Sequence, residues 1–237
     1  MTGVDAGLRA PAFFTTRGDG VSTGAFESLN LASHVGDDAA AVAINRGRVA
    51  ETIGAPVVYM QPTHGSRAVE VTSADEEPEA DVLVTRNPAL ALAALAADCV
   101  PILVHERHSG AVAAIHAGRR GLAHGVVAAG IACLVGVARE SHPQLEAAVG
   151  PAICGQCYEV AESVRAEVAA VVPAAAAQTR VGTPALDLPA GVMAELRAHG
   201  VQRIVDRTAC TVENAEYFSY RRDTTTGRFG GIIRAVA

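Results

Sequence analysis

The sequence predicts a single domain of the α+β class covering residues 1–237, on three observations. Segments with strand character come in a block that is followed by helical patterns, which points to α+β rather than to a strictly alternating parallel sheet. No internal repeat and no stretch rich in Pro, Gly or Ser separates two units. Half of the 237 residues are hydrophobic and 19% are charged, so the chain has the apolar surface for a sizeable core and lacks the composition of a disordered protein.

Each element has its own signal. Phe13-Phe14-Thr15-Thr16 before the turn Arg17-Gly18-Asp19-Gly20 reads as a strand running into a loop. A helix is expected from Asp37 through Ile53, with Asp37 or Asp38 as its N-cap. Five strands follow, at Val57–Gln61, Ala68–Thr72, Asp81–Thr85, Ile102–His105 and Ala111–His116. Gly121–Ala138 reads as one long helix, Leu145–Gly150 as a strand, Tyr158–Val172 and Gly191–His199 as helices, and Ile204–Asp206 as a strand. The tract Val171–Gln178 reads as a helix end and a surface loop.

Composition excludes several function classes. The 19 Lys+Arg against 25 Asp+Glu give a formal charge of −6, which repels a phosphate backbone, so nucleic acid is not the expected partner. The first twenty residues lack a basic segment followed by an apolar run and cleavage site, and the expected location is the cytoplasm. Gly121–Ala138 carries no Asp, Glu, Lys or Arg, yet it contains His124 and is mostly Gly and Ala, so a buried helix is expected rather than a membrane span. Five cysteines without small-scaffold spacing suggest thiols or ligands in a reducing compartment, not disulfides.

Three short segments place a metal-capable or nucleophilic residue among small neighbours: Gln61-Pro62-Thr63-His64-Gly65, Ala97-Asp98-Cys99-Val100-Pro101 and Ile115-His116-Ala117-Gly118. Imidazole and thiolate both suit zinc, and three protein ligands with an open fourth position are what a catalytic site needs. On the residues alone, Cys99 as an inert small hydrophobe and a His beside Gly as a hydrogen-bonded turn residue remain alternatives. Cys154-Gly155-Gln156-Cys157 is a single CxxC, weak evidence for a redox or structural-zinc role, and its setting reads rather as a turn into a helix.

Taken together with FFTTRGDGVSTGAFESLNL at Phe13–Leu31, HVGDD at His34–Asp38, Asn45-Arg46, ADVLVT at Ala80–Thr85, GPAI at Gly150–Ile153, YEV at Tyr158–Val160 and CT…YFSYRRD…GR at Cys210–Arg228, these blocks resemble the YfiH-like family, also called the laccase-domain or polyphenol-oxidase family and more recently purine nucleoside phosphorylases. The resemblance covers nearly the whole chain and implies a layered α/β sandwich with the metal at a sheet edge. It implies zinc ligands at His64, Cys99 and His116, which are then also the catalytic residues. The implied activity is phosphorolysis of adenosine, inosine, guanosine or methylthioadenosine together with hydrolytic deamination of adenosine. The implied partners are a small-molecule nucleoside and phosphate, with no nucleic acid or membrane, and the chain is taken to act as a monomer. One departure stands out: the family usually reads H-A-G-W-R-G, whereas Arg119 takes the Trp position and the chain has no Trp.

Arg221 leads the basic cluster Tyr220-Arg221-Arg222-Asp223…Arg228, which is suited to clamp an anionic substrate group, with a solvated face as the alternative. Asn30 and Arg46 are further substrate-binding candidates; an Asn fixing a turn and an Arg bridging surfaces are their plain counterparts. Asp98 is positioned to orient a neighbouring ligand. A multicopper oxidase gathers many imidazoles through His-x-His pairs, and the chain's eight His include no such pair, which disfavours polyphenol oxidation. Copper is still expected to displace zinc in vitro, since Cu(II) generally binds such ligands more tightly. The second enzyme class kept open is amide hydrolysis, by zinc hydroxide or by a Cys99 thiolate with His116 as base, acting on peptidoglycan precursors.

Overall fold

Continuous apolar runs such as Val82-Leu83-Val84 and Val100–Val104 have no polar face to offer solvent, so their strands must be covered on both sides. A computed structural model, describing residues 3–75 and 77–237, shows how. Its strands are β1 (Gly3–Asp5), β2 (Ala12–Thr15), β3 (Val57–Tyr59), β4 (Ala68–Glu70), β5 (Val82–Thr85), β6 (Ala91–Ala96), β7 (Val100–Glu106), β8 (Val112–Ala117), β9 (Leu145–Val149), β10 (Ala176–Gln178), β11 (Pro184–Leu186), β12 (Arg203–Asp206) and β13 (Phe229–Arg234). Its helices are α1 (Ala39–Ile53), α2 (Arg119–Ala123), α3 (Val126–Ala138), α4 (Glu162–Val171), α5 (Leu188–Ala198) and α6 (Tyr220–Asp223). One sheet runs β1-β2-β13-β6-β3, a second β12-β9-β7-β8-β5-β4, and β10 pairs with β11.

The two large sheets pack face to face through Phe14, Met60, Leu92 and Ile233 on one side and Leu83, Leu103, Val112 and Ala148 on the other. The outer face of the six-stranded sheet, with Val84, Ile102, Val104 and Ile115, is covered by Leu134 of α3 and Val192 and Leu196 of α5. Val49 and Ile53 of α1 cover Leu95 and Ile232 on the outer face of the other sheet. The result is four layers, α1, sheet, sheet, and α3 with α5, a layered mixed α/β domain of the predicted kind. Burial on both faces is why β5, β6, β7, β8 and β9 show no polar alternation.

The Asp38 side chain caps α1 by accepting from the Ala40 N–H, and Gly54 ends the helix in the left-handed region at φ 71°. The helix expected over Gly121–Ala138 is two helices: Gly125 takes φ 74° between α2 and α3. The segment expected as a helix from Tyr158 becomes helical only at Glu162, which leaves Tyr158 in a loop. Within the tract expected as a loop, Ala176–Gln178 forms β10. Two central strands escape the sequence reading: β6, which is four Ala and two Leu, and β13, where Gly230-Gly231 interrupts a short Phe and Ile pattern. Both are specified by tertiary packing, since a Cβ on Gly231 would lie 3.0 Å from the Phe14 ring. Among the described residues, no helix is long and apolar enough to cross a membrane.

Candidate functional site

Strand register brings the three predicted ligands together. β7 and β8 are antiparallel with Val100 opposite Ala117 and Pro101 opposite His116, so Cys99, one residue before β7, lies beside the end of β8. On the other side of β8, the His116 N–H donates to the Asp81 carbonyl at 2.8 Å, just before β5 begins. The buried Asp81 carboxylate then gathers the His64 loop, accepting from the Thr63 hydroxyl at 2.5 Å, the His64 N–H at 2.7 Å and the Gly65 N–H at 2.9 Å. Those bonds hold His64 at φ 60°, a left-handed conformation uncommon outside glycine. Asp81 stood in the sequence only as the first residue of an expected strand; its burial and its three donors make it the organiser of the ligand loop.

The nitrogen and sulfur atoms of His64, Cys99 and His116 lie within 4.8 Å of one another, and the two imidazoles meet edge to face at 5.0 Å. A tetrahedral zinc with these ligand types requires separations of roughly 3.3–3.8 Å, so small side-chain shifts close the set. His116 Nδ1 faces the Leu95 carbonyl at 2.8 Å. A carbonyl only accepts, so Nδ1 carries the proton and Nε2 presents its lone pair. That Nε2 is buried and has no hydrogen-bond partner among the described residues, an orphan that a metal ion satisfies. Burial, with His64 adding to it, lowers the His116 pKa to about 4, so the imidazole is neutral, as a ligand must be. Burial pushes the Cys99 thiol up to about 12, and Asp98 acts the same way; the sulfur ionises only beside a cation. The donor set therefore fits a soft divalent metal and poorly suits a free thiolate nucleophile.

The site opens into a cavity of about 580 Å³. Ile153, Tyr158 and Leu188 give it an apolar wall, while Arg221 and Arg228 bring two guanidinium groups. Arg221 donates to the Glu159 carbonyl at 3.0 Å and lies 5.0 Å from the Tyr158 ring centre. Arg228 is held by the carbonyls of Thr226 and Gly227, at 2.8 and 2.9 Å. Asp98 lines the cavity at φ 90°, accepting from the Thr211 hydroxyl and the Arg221 N–H, both at 2.6 Å; it ties the Cys99 turn to the start of α6.

Asn30 and Arg46 sit elsewhere. The Asn30 side chain is fully buried, donating to the Ala32 carbonyl and the Asp37 carboxylate and accepting from the N–H groups of Ala32 and Arg228, so it fixes the loop that carries Arg228. Arg46 donates to the Leu31 carbonyl, pairs with Glu77 at 3.0 Å and stacks over Tyr59 at 4.1 Å. Tyr158 and Asp81 are what sequence reasoning missed as site residues, and Arg228 stood there only as the far end of the basic cluster behind Arg221; all three fall in the motif blocks, but only the fold gives them a place. Arg119, in the position of the family's Trp, sets its guanidinium near the Tyr158 hydroxyl.

Residues 11–235 match the family model described as multi-copper polyphenol oxidoreductase laccase. A Streptomyces coelicolor protein named a purine nucleoside phosphorylase is 48% identical over 226 residues, covering 93% of each chain. A Mycobacterium tuberculosis protein of the same name is 43% identical, over 92% of this chain and 89% of its own. Among solved structures, protein NMB0706 of Neisseria meningitidis superposes with a TM-score of 0.89 at 36% identity, covering 100% of this chain and 99% of its own. YlmD from Geobacillus stearothermophilus gives 0.89 at 33% identity, over 98% of this chain and 94% of its own. With a family match across almost its entire length and relatives of this identity and coverage, the chain belongs to the laccase-domain family of YfiH-like proteins.

Proposed function

We propose that the chain is a zinc-dependent purine nucleoside phosphorylase that also deaminates adenosine, acts in the cytoplasm, and accepts adenosine, inosine, guanosine and methylthioadenosine. The observation that carries this reading is the meeting of three elements in one cavity: a three-ligand metal set, an apolar wall and two guanidinium groups. The relatives' name, purine nucleoside phosphorylase, supports the phosphorolysis part of this reading. His64, Cys99 and His116 would hold zinc, which when bound supplies Lewis acidity and a water ionised near neutral pH.

The rest is work for the chain's own residues. A purine needs a flat apolar surface, and Ile153, Tyr158 and Leu188 offer one. Phosphorolysis needs phosphate placed against the sugar C1′ as the base leaves. Arg221 and Arg228 are suited to bind that anion, because a guanidinium grips phosphate oxygens with paired N–H groups and gains strength where water is partly excluded. Burial opposes the charge on Arg228, and an arriving anion offsets that cost. The Leu95 carbonyl keeps His116 in one tautomer and one orientation.

The test is to incubate zinc-loaded protein with adenosine, with and without phosphate, beside a chelator-treated control, and to separate the products. Adenine that requires phosphate, and inosine that does not, both lost on chelation, are expected. No product from adenosine, inosine, guanosine or methylthioadenosine would overturn the proposal.

A further inference from the structure

A second cluster lies away from the His64–Cys99–His116 centre. Cys154, Cys157, Cys210 and Glu213 present three sulfurs and a carboxylate oxygen within 4.8 Å of one another. They come from two loops joined by backbone pairing: Ala152 and Cys210 form a bridge, and the Ala152 N–H donates to the Ala209 carbonyl. We propose that these four side chains form a structural zinc site, closed by three thiolates and the Glu213 carboxylate.

Four features of the cluster support it. The Cys-x-x-Cys loop is a tight turn, with the N–H groups of Cys157 and Tyr158 both 3.0 Å from the Cys154 carbonyl, so both thiols point to one side. The Cys157 thiol donates to the Glu213 carboxylate at 3.4 Å, so a sulfur from the first loop and an oxygen from the second already meet in the space that a metal ion would enter. Tetrahedral zinc–thiolate arms of about 2.3 Å give sulfur separations of roughly 3.8 Å, which small side-chain shifts reach from ligand atoms that lie within 4.8 Å of one another. Arg180 pairs with Glu213 and also donates to Gln156 at 2.9 Å, placing a positive charge where three thiolates and a carboxylate around one dication leave excess negative charge.

The site has a place in the fold. The first loop delivers Tyr158 to the cavity wall, and in the second Thr211 holds Asp98 beside Cys99. Zinc here would staple together the two loops that frame the cavity. Four protein ligands leave no open position, as befits a structural site rather than a catalytic one.

The test uses the full chain, reconstituted with zinc and desalted, with metal content measured by mass spectrometry. The variant Cys99→Ala, which disables the first centre, should retain about one equivalent, and adding Cys154→Ser and Cys157→Ser to it should abolish that equivalent. Zinc-free Cys99→Ala protein, or an equivalent that survives the triple change, would overturn the proposal. Should the triple variant fail to fold, alkylation of the wild-type protein followed by peptide mapping decides: zinc should protect Cys154, Cys157 and Cys210. Equal labelling with and without zinc, or a Cys154–Cys157 disulfide, counts against the site. Zinc content and cysteine protection are read without nucleoside turnover, so the two readings fail separately.

Discussion

Gly118 sits against the ligand set, and a side chain there tests the site's geometry. A Cβ added to it would lie 3.0 Å from Cys99 Sγ, 3.0 Å from His64 Cδ2 and 3.7 Å from His116 Nε2. Its backbone, at φ −84° and ψ 172°, suits alanine without strain, so Gly118→Ala acts through space alone. In the metal-free protein the Cys99 and His64 side chains can each yield by a few tenths of an ångström. Bound zinc fixes both at coordination distance, so the crowding falls mainly on the metal-bound state. Overpacking by one methyl costs about 1–3 kcal/mol, equivalent to zinc affinity weakened about 5- to 150-fold. The assay is a competition titration of zinc against a chromophoric chelator, with thermal unfolding of the apoprotein as control. Unchanged affinity would refute the placement of Cys99 and His64 on one ion. Equal destabilisation of apoprotein and metal-loaded protein would refute the differential argument.

Three further outcomes are expected. Asp81→Asn puts an amide where the carboxylate accepts three hydrogen bonds, and the loosened His64 loop should lose about 10- to 100-fold in zinc affinity; affinity within twofold of wild type would show that the loop holds without it. Arg228→Met should raise the KM for phosphate about tenfold or more, and Arg221→Ala should also weaken phosphate use, with deamination of adenosine less affected in both; equal loss of the two activities would mean that neither residue discriminates them. Glu106 supplies a pH signature: burial works to raise its pKa, but the N–H and hydroxyl of Ser109 and the N–H groups of Gln144 and His108 prevail and hold it at about 2. Because the folded pKa is depressed, the stabilisation is present above the ordinary value of 4.5 and is lost as pH falls from there through about 2. It amounts to about 3 kcal/mol at neutral pH, and Glu106→Gln should flatten denaturant stability against pH in that window; parallel profiles for variant and wild type would contradict it.

What was legible in the sequence follows from where local chemistry decides the structure. Asp38 and Gly54 bound α1 because a cap and a left-handed terminus are local signals. β5, β7 and β8 were readable from branched apolar runs, whereas β6 and β13 were not, because Ala-rich and Gly-containing strands are chosen by what packs on them. Gly125 was hidden inside an apolar stretch that read as one helix. His64, Cys99 and His116 were visible as residue types in motif blocks, but their meeting depends on the β5–β8 and β7–β8 registers, which no local spacing encodes. Arg228 and Tyr158 reach the cavity, and Asn30 and Arg46 do not line it, for the same reason: long-range packing decides which polar groups face the ligand space.

The most direct test of the central claim is the phosphate-dependent release of adenine from adenosine by wild type and by Cys99→Ala, with zinc measured on the same samples. The account predicts that Cys99→Ala stays folded, loses one equivalent of zinc relative to wild type and loses nearly all turnover. Unchanged zinc content in Cys99→Ala with adenine release intact would remove Cys99 from the site and contradict the account.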